Sequence, residues 1–449
     1  MEQHVELEAQ IDRWRGYVQR RRVISTADVE ELEDHLRGQV TDLQATGLDD
    51  EESFLIAIKR LGNLDAVSRE YAREHSERLW KQLALVTEGD DGSGAPSRRE
   101  LAVVLALAVG AGLAVKAGAT WIADENALAR NVAVLVVPFL AAYFAWKRRL
   151  TVPVAATLVA AFAGLAVVVN AYPFERGGST EVLTVVHTPV VLWLLLGLAY
   201  VGGRWRSDRG RMDFARFTGE LAIYLTLLAL GGGVLIGLTF AVLSAVGVDL
   251  EPVAQDWILP FAVPGALVVA AWLVEAKKNV VENIAPVLTR VFTPLTIVML
   301  LAVLVVLLSS GGLADVDRDL LILMDAILVL VLCLLLYSIS ARDPLAPPGV
   351  FDALQLVLVA AALAVDAVML TAMLTRIAEL GSSPNRVAAL GMNVLLLVHL
   401  AGSAWLTGRF LRRRAGFATL ERWQTRYLPV YGAWAAVVVV AFPPVFGFA

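Results

Sequence analysis

One cysteine, five histidines and a low density of charge set the first limits on this chain of 449 residues. Cys333 stands alone within an apolar run, so the chain can form neither an intrachain disulfide nor a cysteine metal cluster. His4, His35, His75, His187 and His399 are too scattered to predict a metal site. Walker A, H-E-x-x-H and G-x-S-x-G sequences are all absent, so no P-loop, zincin or serine-hydrolase chemistry is marked. No asparagine begins an N-x-S/T sequon. The first 20 residues, MEQHVELEAQIDRWRGYVQR, hold no apolar h-region, which predicts a cytoplasmic N-terminal part with no cleavable signal. Charged residues are 18% and hydrophobic residues 57%, against about 25% and about 45–50% in soluble domains.

That imbalance is not uniform. Residues 1–99 hold 14 Lys/Arg and 21 Asp/Glu, whereas residues 100–449 hold 24 and 22. The pattern predicts an acidic, water-facing head on a long apolar body. In the head, Ser25 and Thr26 can cap a helix from about Asp28, with Val29, Leu32, Leu36, Val40 and Leu43 on one face and Gly47 as its stop. Asp49 to Glu52 is a capping-box variant ahead of Phe54, Ala57, Ile58 and Leu61. A last amphipathic helix is expected from about 65 to 85. The expectation is a small helical bundle over 1–86, and 87–99 (TEGDDGSGAPSRR) reads as a flexible linker. Such a head either spaces and tethers or docks a cytoplasmic protein.

The segments Glu31-Leu32-Glu33-Asp34-His35-Leu36, Gly47-Leu48-Asp49-Asp50-Glu51-Glu52-Ser53-Phe54 and Arg60-Leu61-Gly62 resemble the bacterial permease prefix domain over about residues 5–80. The resemblance implies a cytoplasmic module ahead of a multi-pass membrane protein, and no chemistry.

From position 100 the chain offers eleven runs near the ~20 residues a membrane helix needs: 101–120, 129–146, 151–171, 182–202, 219–246, 257–276, 291–310, 320–340, 353–378, 387–408 and 428–447. The second is short and the last carries Pro443-Pro444, so ten or eleven spans are expected. With the head inside, the connections after even-numbered spans and their flanks carry 18 of the 24 Lys/Arg, and the other side carries 6. That asymmetry obeys the positive-inside rule and predicts an extracytoplasmic C-terminus.

Residues 409–427 mix six arginines with Phe410, Phe417, Leu420, Trp423 and Tyr427, which reads as a basic amphipathic stretch on anionic headgroups rather than a nucleic-acid surface. Residues 204–216 are a smaller version. Gly231, Gly232, Gly233 and Gly237 suggest a close helix contact. Pro138, Pro189, Pro260, Pro264 and Pro294 are weak signals of broken helices.

Ionisable groups at membrane depth cost at least ~2.5 kcal/mol on insertion scales, so each demands a partner or a role. Asp366 and His399 lie 17 residues before and 16 after Ser383, which places them at one depth on antiparallel neighbours. A carboxylate beside an imidazole suits a proton relay or ion site, or else a structural pin. Asn393 sits about 9 Å nearer the outside at ~1.5 Å per residue. Asp325 and Arg376 form a second expected pair, structural in kind.

The connection Arg376-Ile377-Ala378-Glu379-Leu380-Gly381-Ser382-Ser383-Pro384-Asn385-Arg386 is similar to the signature turn of the bacterial multi-pass family catalogued as domain of unknown function 4153, over roughly residues 217–445. Leu380 replaces the usual aromatic, and Ser382-Ser383 the usual Leu-Thr. The resemblance implies topology and supplies no mechanism. On its own chemistry the turn has Gly381 as a helix stop, Ser382 or Ser383 as a cap, and Arg376, Glu379 and Arg386 as an outer ion cluster.

The expected protein is therefore all-α and polytopic, in a bacterial inner membrane, with no cofactor and no enzymatic activity. Two functions remain: a permease-like carrier of a small solute or ion, with Asp366 and His399 near the pathway, or a membrane-anchored scaffold whose head docks a partner.

Overall fold

The computed structural model describes residues 7, 11, 26–45, 53, 54, 57, 98–245, 251–276, 284–309 and 318–449. The chain divides into two compact units, Met1–Ser93 and Gly94–Ala449. In the first, helix α1 runs Thr26–Ala45, starting two residues ahead of the expected Asp28. Its Leu36, Val40 and Leu43 are buried in one cluster with Leu7, Ile11, Phe54 and Ala57. The side chains of Val29 and Leu32, and the expected roles of Ser25, Gly47, the capping box at 49–52, Ile58, Leu61, the helix at 65–85 and the linker from 87 to 97, lie outside the described residues.

The second unit is helical, with no strand among its described residues. In chain order it contains α2 (Arg98–Trp121), α3 (Glu125–Lys147), α4 (Val152–Ala171), α5 (Ser179–Tyr200), α6 (Asp208–Ala245), α7 (Glu251–Ala276), α8 (Ile284–Ser309), α9 (Arg318–Ser340), α10 (Val350–Leu380), α11 (Pro384–Leu411), α12 (Phe417–Val440) and the single turn α13 (Phe442–Val445). Helices α2 to α11 are the ten that are long and apolar enough to cross a membrane. Only a helix satisfies its own backbone in hydrocarbon, which is why these apolar runs form little else. Side-chain placement agrees. Val234, Leu235, Leu238 and Val242 on α6 are each over 60% exposed, while Asp366, Asn393, His399, Ser403 and Gln424 are fully buried. A soluble domain rarely leaves so continuous an apolar face uncovered.

Two cores organise the unit. The first joins α2, α3, α4, α5 and α7 with the start of α6, centred on Leu140, Tyr143, Phe144, Leu192, Leu196 and Phe217. The second joins α8 to α12, centred on Leu300, Leu328, Val365, Met369, Leu396 and Leu400. Helix α6 serves both: Phe214 and Phe217 enter the first core and Met212 the second. The most buried of the ten is α10.

Polar contacts gather the helix ends into two belts. At one, Lys147 meets Glu100 (2.7 Å), Arg148 meets Glu275 (2.8 Å), Arg342 meets Asp352 (2.8 Å) and Arg422 meets Asp208 (3.5 Å). At the other, Lys116 meets Asp256 (3.4 Å), Arg130 meets Glu181, Asn385 donates to Ser179 (3.1 Å), and Thr180 N donates to the Ala449 carbonyl (2.8 Å). Connections expected on one flank therefore share one belt.

Three local expectations give way. The basic stretch 417–427 does not lie apart as a surface strip: it is the first half of α12, and Phe417 and Leu420 enter the second core. The helix expected over 428–447 instead runs Phe417–Val440, and its polar and aromatic first half (Gln424, Arg426, Tyr427) keeps it out of the apolar ten. A Cβ added to Gly231, Gly232, Gly233 or Gly237 would meet no described atom within 4 Å, so these glycines make no close helix contact with the described residues. Pro138, Pro189, Pro264 and Pro294 lie inside continuous helices. Only Pro260 leaves a mark: a π turn over Ala254–Ile258 precedes it, with Leu259 N bonding back to Ala254 O.

Candidate intramembrane polar site

The site is built on the polar face of α11. Asn393, His399, Ser403 and Thr407 are all buried. From the first to the last is fourteen steps, or about 21 Å of helix, most of the ~30 Å hydrocarbon core. Helix α11 starts at the expected turn: Ser383 Oγ accepts from Arg386 N (3.4 Å), Pro384 takes the first position, and Gly381 adopts φ 75°. Arg386 Nη1 donates to the carbonyls of Leu380 (3.0 Å) and Gly381 (2.7 Å), so it closes the end of α10 instead of joining Glu379.

Helix α12 lies close against α11 because glycine faces tryptophan twice. Gly391 packs under Trp434 and Gly402 under Trp423. Both pairs are eleven residues apart, three helical turns, which fixes the antiparallel register. This register carries Tyr427 and Tyr431 to His399. The imidazole stacks on Tyr427 (4.4 Å between centroids, 6° between planes), and His399 Nδ1 is hydrogen-bonded to Tyr431 Oη at 2.8 Å. Trp423 Nε1 donates to the His399 carbonyl (3.0 Å). Beyond the ring, Ser403 Oγ donates to the same carbonyl (2.8 Å) and accepts from Gln424 Nε2 (2.8 Å). His399 Nε2 and Gln424 Oε1 are buried without a hydrogen-bond partner among the described residues.

Asp366, on α10, is fully buried, and neither carboxylate oxygen has a hydrogen-bond partner among the described residues. No hydrogen bond joins it to His399. Its charge is felt by Asp325 and by Tyr431, and Tyr431 is in turn hydrogen-bonded to His399. Asn393 Nδ2 donates to Asp325 Oδ1 (2.8 Å) and to Ala389 O (2.9 Å), and touches Met373 Sδ at 3.5 Å. No ion pair among the described residues joins Asp325 to Arg376; the hydrogen bond to Asp325 comes from Asn393. Hydrogen bonds thus join Asp325 to Asn393 and His399 to Tyr431, with Asp366 in electrostatic reach of Asp325 and Tyr431, and Glu379 and Arg386 stay outside.

Sequence reasoning misses the tyrosines, Gln424 and Ser403, because the charges of 409–427 point to headgroups. The signal is nonetheless present: Gln424, Tyr427 and Tyr431 recur at one helical face, and the two Gly–Trp pairs share a spacing.

Ten apolar helices around a buried polar ladder define an all-α protein of the multi-pass membrane type. No family model matches the chain, and neither does any curated protein or solved structure at the threshold of significance.

Proposed function

We propose that this is a permease-like integral membrane protein that moves protons, alone or with a small solute, through the ladder on α11. The observation that carries this reading is Asp366: a fully buried carboxylate with both oxygens unpartnered among the described residues. Charge on such a group demands compensation by a proton or a cation. Tyr431 and His399, joined by a hydrogen bond, are groups that exchange protons, and Asp325 offers a second carboxylate toward the opposite belt. The path runs Asp325, Asp366, Tyr431, His399, then Ser403 and Gln424 toward the arginine-rich belt.

The test is a pH-sensitive dye trapped in liposomes carrying the purified protein, with an imposed pH gradient. Wild-type protein accelerates proton movement over empty liposomes, and Asp366→Asn abolishes the acceleration while remaining monodisperse. Flux no faster than empty liposomes, or full flux in Asp366→Asn, overturns the reading.

The proposed setting is a bacterial inner membrane with the arginine-rich belt and residues 1–86 in the cytoplasm, as the positive-inside count supports. On a Cys333→Ser background, a membrane-impermeant maleimide applied from outside is expected to label Ser382→Cys and to spare Ser207→Cys. Membership of the family with the 376–386 turn, and of residues 1–86 in the permease prefix class, belongs to the same proposal. A second reading is a membrane scaffold whose head docks a partner, although the cluster of Leu7, Ile11, Leu36, Val40, Leu43, Phe54 and Ala57 buries its own stripe, so docking would have to use the polar face of the head. It requires Asp366→Asn to be silent and deletion of 1–86 to abolish function.

A further inference from the structure

A cleft of about 850 Å³ opens at the arginine-rich belt, remote in sequence from the ladder. Its walls are the end of α3, the turn from α5 into α6, the first turns of α6 and the end of α7. Gly202 and Gly203 make that turn at φ 64° and 82°, a conformation other residues rarely adopt. Four arginines line the cleft: Arg148, Arg204, Arg209 and Arg216. Two are held in place. Arg148 donates to Glu275 (2.8 Å) and to the Tyr200 carbonyl (3.1 Å) and lies over the Tyr200 ring (5.2 Å), and Arg216 donates to the Ser340 carbonyl. Arg204 and Arg209 are exposed, and their guanidinium groups make no hydrogen bond or salt bridge with any described residue. The lining carboxylates are Asp213 and Glu220, and Glu275 behind the wall pairs with Arg148, so the four arginines keep one positive charge in excess. The aromatic wall is Tyr200 and Phe217, with Val201 and Val274 beside them.

Guanidinium forks match phosphate oxygens, and anchored ones lose little freedom on binding. An apolar wall beside them suits the carbon skeleton attached to a phosphate. We propose that this cleft binds a phosphate group of net negative charge, supplied either by an anionic phospholipid headgroup or by a free phosphate compound. The cleft lies at the belt where headgroups sit, and its Arg204 and Arg209 are the recognition pair, with Arg148 and Arg216 as the fixed base.

The experiment is native mass spectrometry of the full chain in detergent, titrated with phosphatidylglycerol, with phosphatidylcholine, and with phosphatidylglycerol in the presence of millimolar inorganic phosphate. Wild-type protein is expected to retain one phosphatidylglycerol in preference to phosphatidylcholine, with affinity lowered about tenfold or more in Arg204→Ala/Arg209→Ala, the loss of at least one strong charge-assisted contact. Arg412→Ala/Arg426→Ala removes the same charge from exposed sites outside the cleft and is expected to change affinity less than about twofold. Displacement by inorganic phosphate identifies a free phosphate compound as the source, and resistance to it identifies the lipid. Equal retention of the two lipids, or equal loss in the two double variants, overturns the proposal by reducing it to diffuse charge.

Discussion

Replacing Asp366 with alanine is expected to stabilise the protein while abolishing proton movement. A structural pin is worth keeping only through its partners, and both Asp366 oxygens lack one among the described residues. Burying a polar group without a hydrogen bond costs about 1–3 kcal/mol by mutational measures. Alanine removes that cost and leaves a void of roughly 25 Å³, which at ~24 cal/mol per Å³ costs about 0.6 kcal/mol. The net expectation is a gain of about 0.5–2.5 kcal/mol, seen as a thermal midpoint raised by a few degrees at most for a unit of this size. Asp366→Asn keeps an unpartnered polar group at the same place and should change stability by under about 1 kcal/mol. The assay is thermal unfolding in detergent followed by intrinsic fluorescence, paired with the liposome flux measurement. A loss of more than about 1 kcal/mol in Asp366→Ala would refute the reasoning, because the carboxylate would then be holding the helices together.

Two further outcomes follow from other contacts. Arg342 is expected to be the most costly arginine to remove. It grips Asp352 through Nε (2.8 Å) and Nη2 (3.1 Å), donates to the carbonyls of Asp343, Ala346 and Pro347, and lies over the rings of Phe410 (4.8 Å) and Phe417 (4.7 Å). Arg342→Ala strands a buried carboxylate and should destabilise by about 3–5 kcal/mol, with Arg342→Lys recovering only part, as read by thermal unfolding. Tyr431→Phe removes the hydrogen bond to His399 and should cost about 0.5–1.5 kcal/mol in the same assay, together with most of the flux, since the proposed path passes through that hydroxyl.

The helices are legible in the sequence because their signal is long and redundant. Twenty apolar residues in a row leave few alternatives, and the arginine bias groups the ends that the ion-pair belts join. The cap at Ser383 and the positive φ of Gly381 are legible too, since each follows from local backbone chemistry. The polar site is legible only along the helix axis. Counting from the turn puts Asp366 and His399 at one depth, but depth says nothing of azimuth, and the partner of each is set by rotation about the helix and by which neighbour packs there. Asp325 therefore takes its hydrogen bond from Asn393, and Tyr431 reaches His399 from a helix whose first half has the composition of a headgroup-bound strip. The glycine run at 231–237 misleads for a related reason: a small-residue stripe states that close approach is allowed, and no described neighbour comes near.

If the ladder works as a path, the spacing of α11 and α12 is part of its chemistry, and a substitution far from any ionisable group tests this. Gly402 lies under Trp423, whose indole bonds the His399 carbonyl and adjoins Tyr427 at 4.9 Å between centroids. A Cβ at 402 overlaps that ring, and the ring is hemmed by Tyr427, so the helices must part or the indole must turn. Overpacking of this kind costs about 1–3 kcal/mol. Either response shifts the stack of Tyr427 on His399 and lengthens the His399–Tyr431 hydrogen bond, now 2.8 Å, which weakens as it passes about 3.2 Å. Gly402→Ala should therefore slow proton movement along with destabilising the fold, and trimming the obstacle in Gly402→Ala/Trp423→Phe should restore part of both. Gly391→Ala under Trp434, at the same interface but away from His399, should destabilise comparably and leave most of the flux. Equal flux defects in the two glycine variants would mean that general loosening of the pair, and not the geometry at His399, limits movement through the ladder.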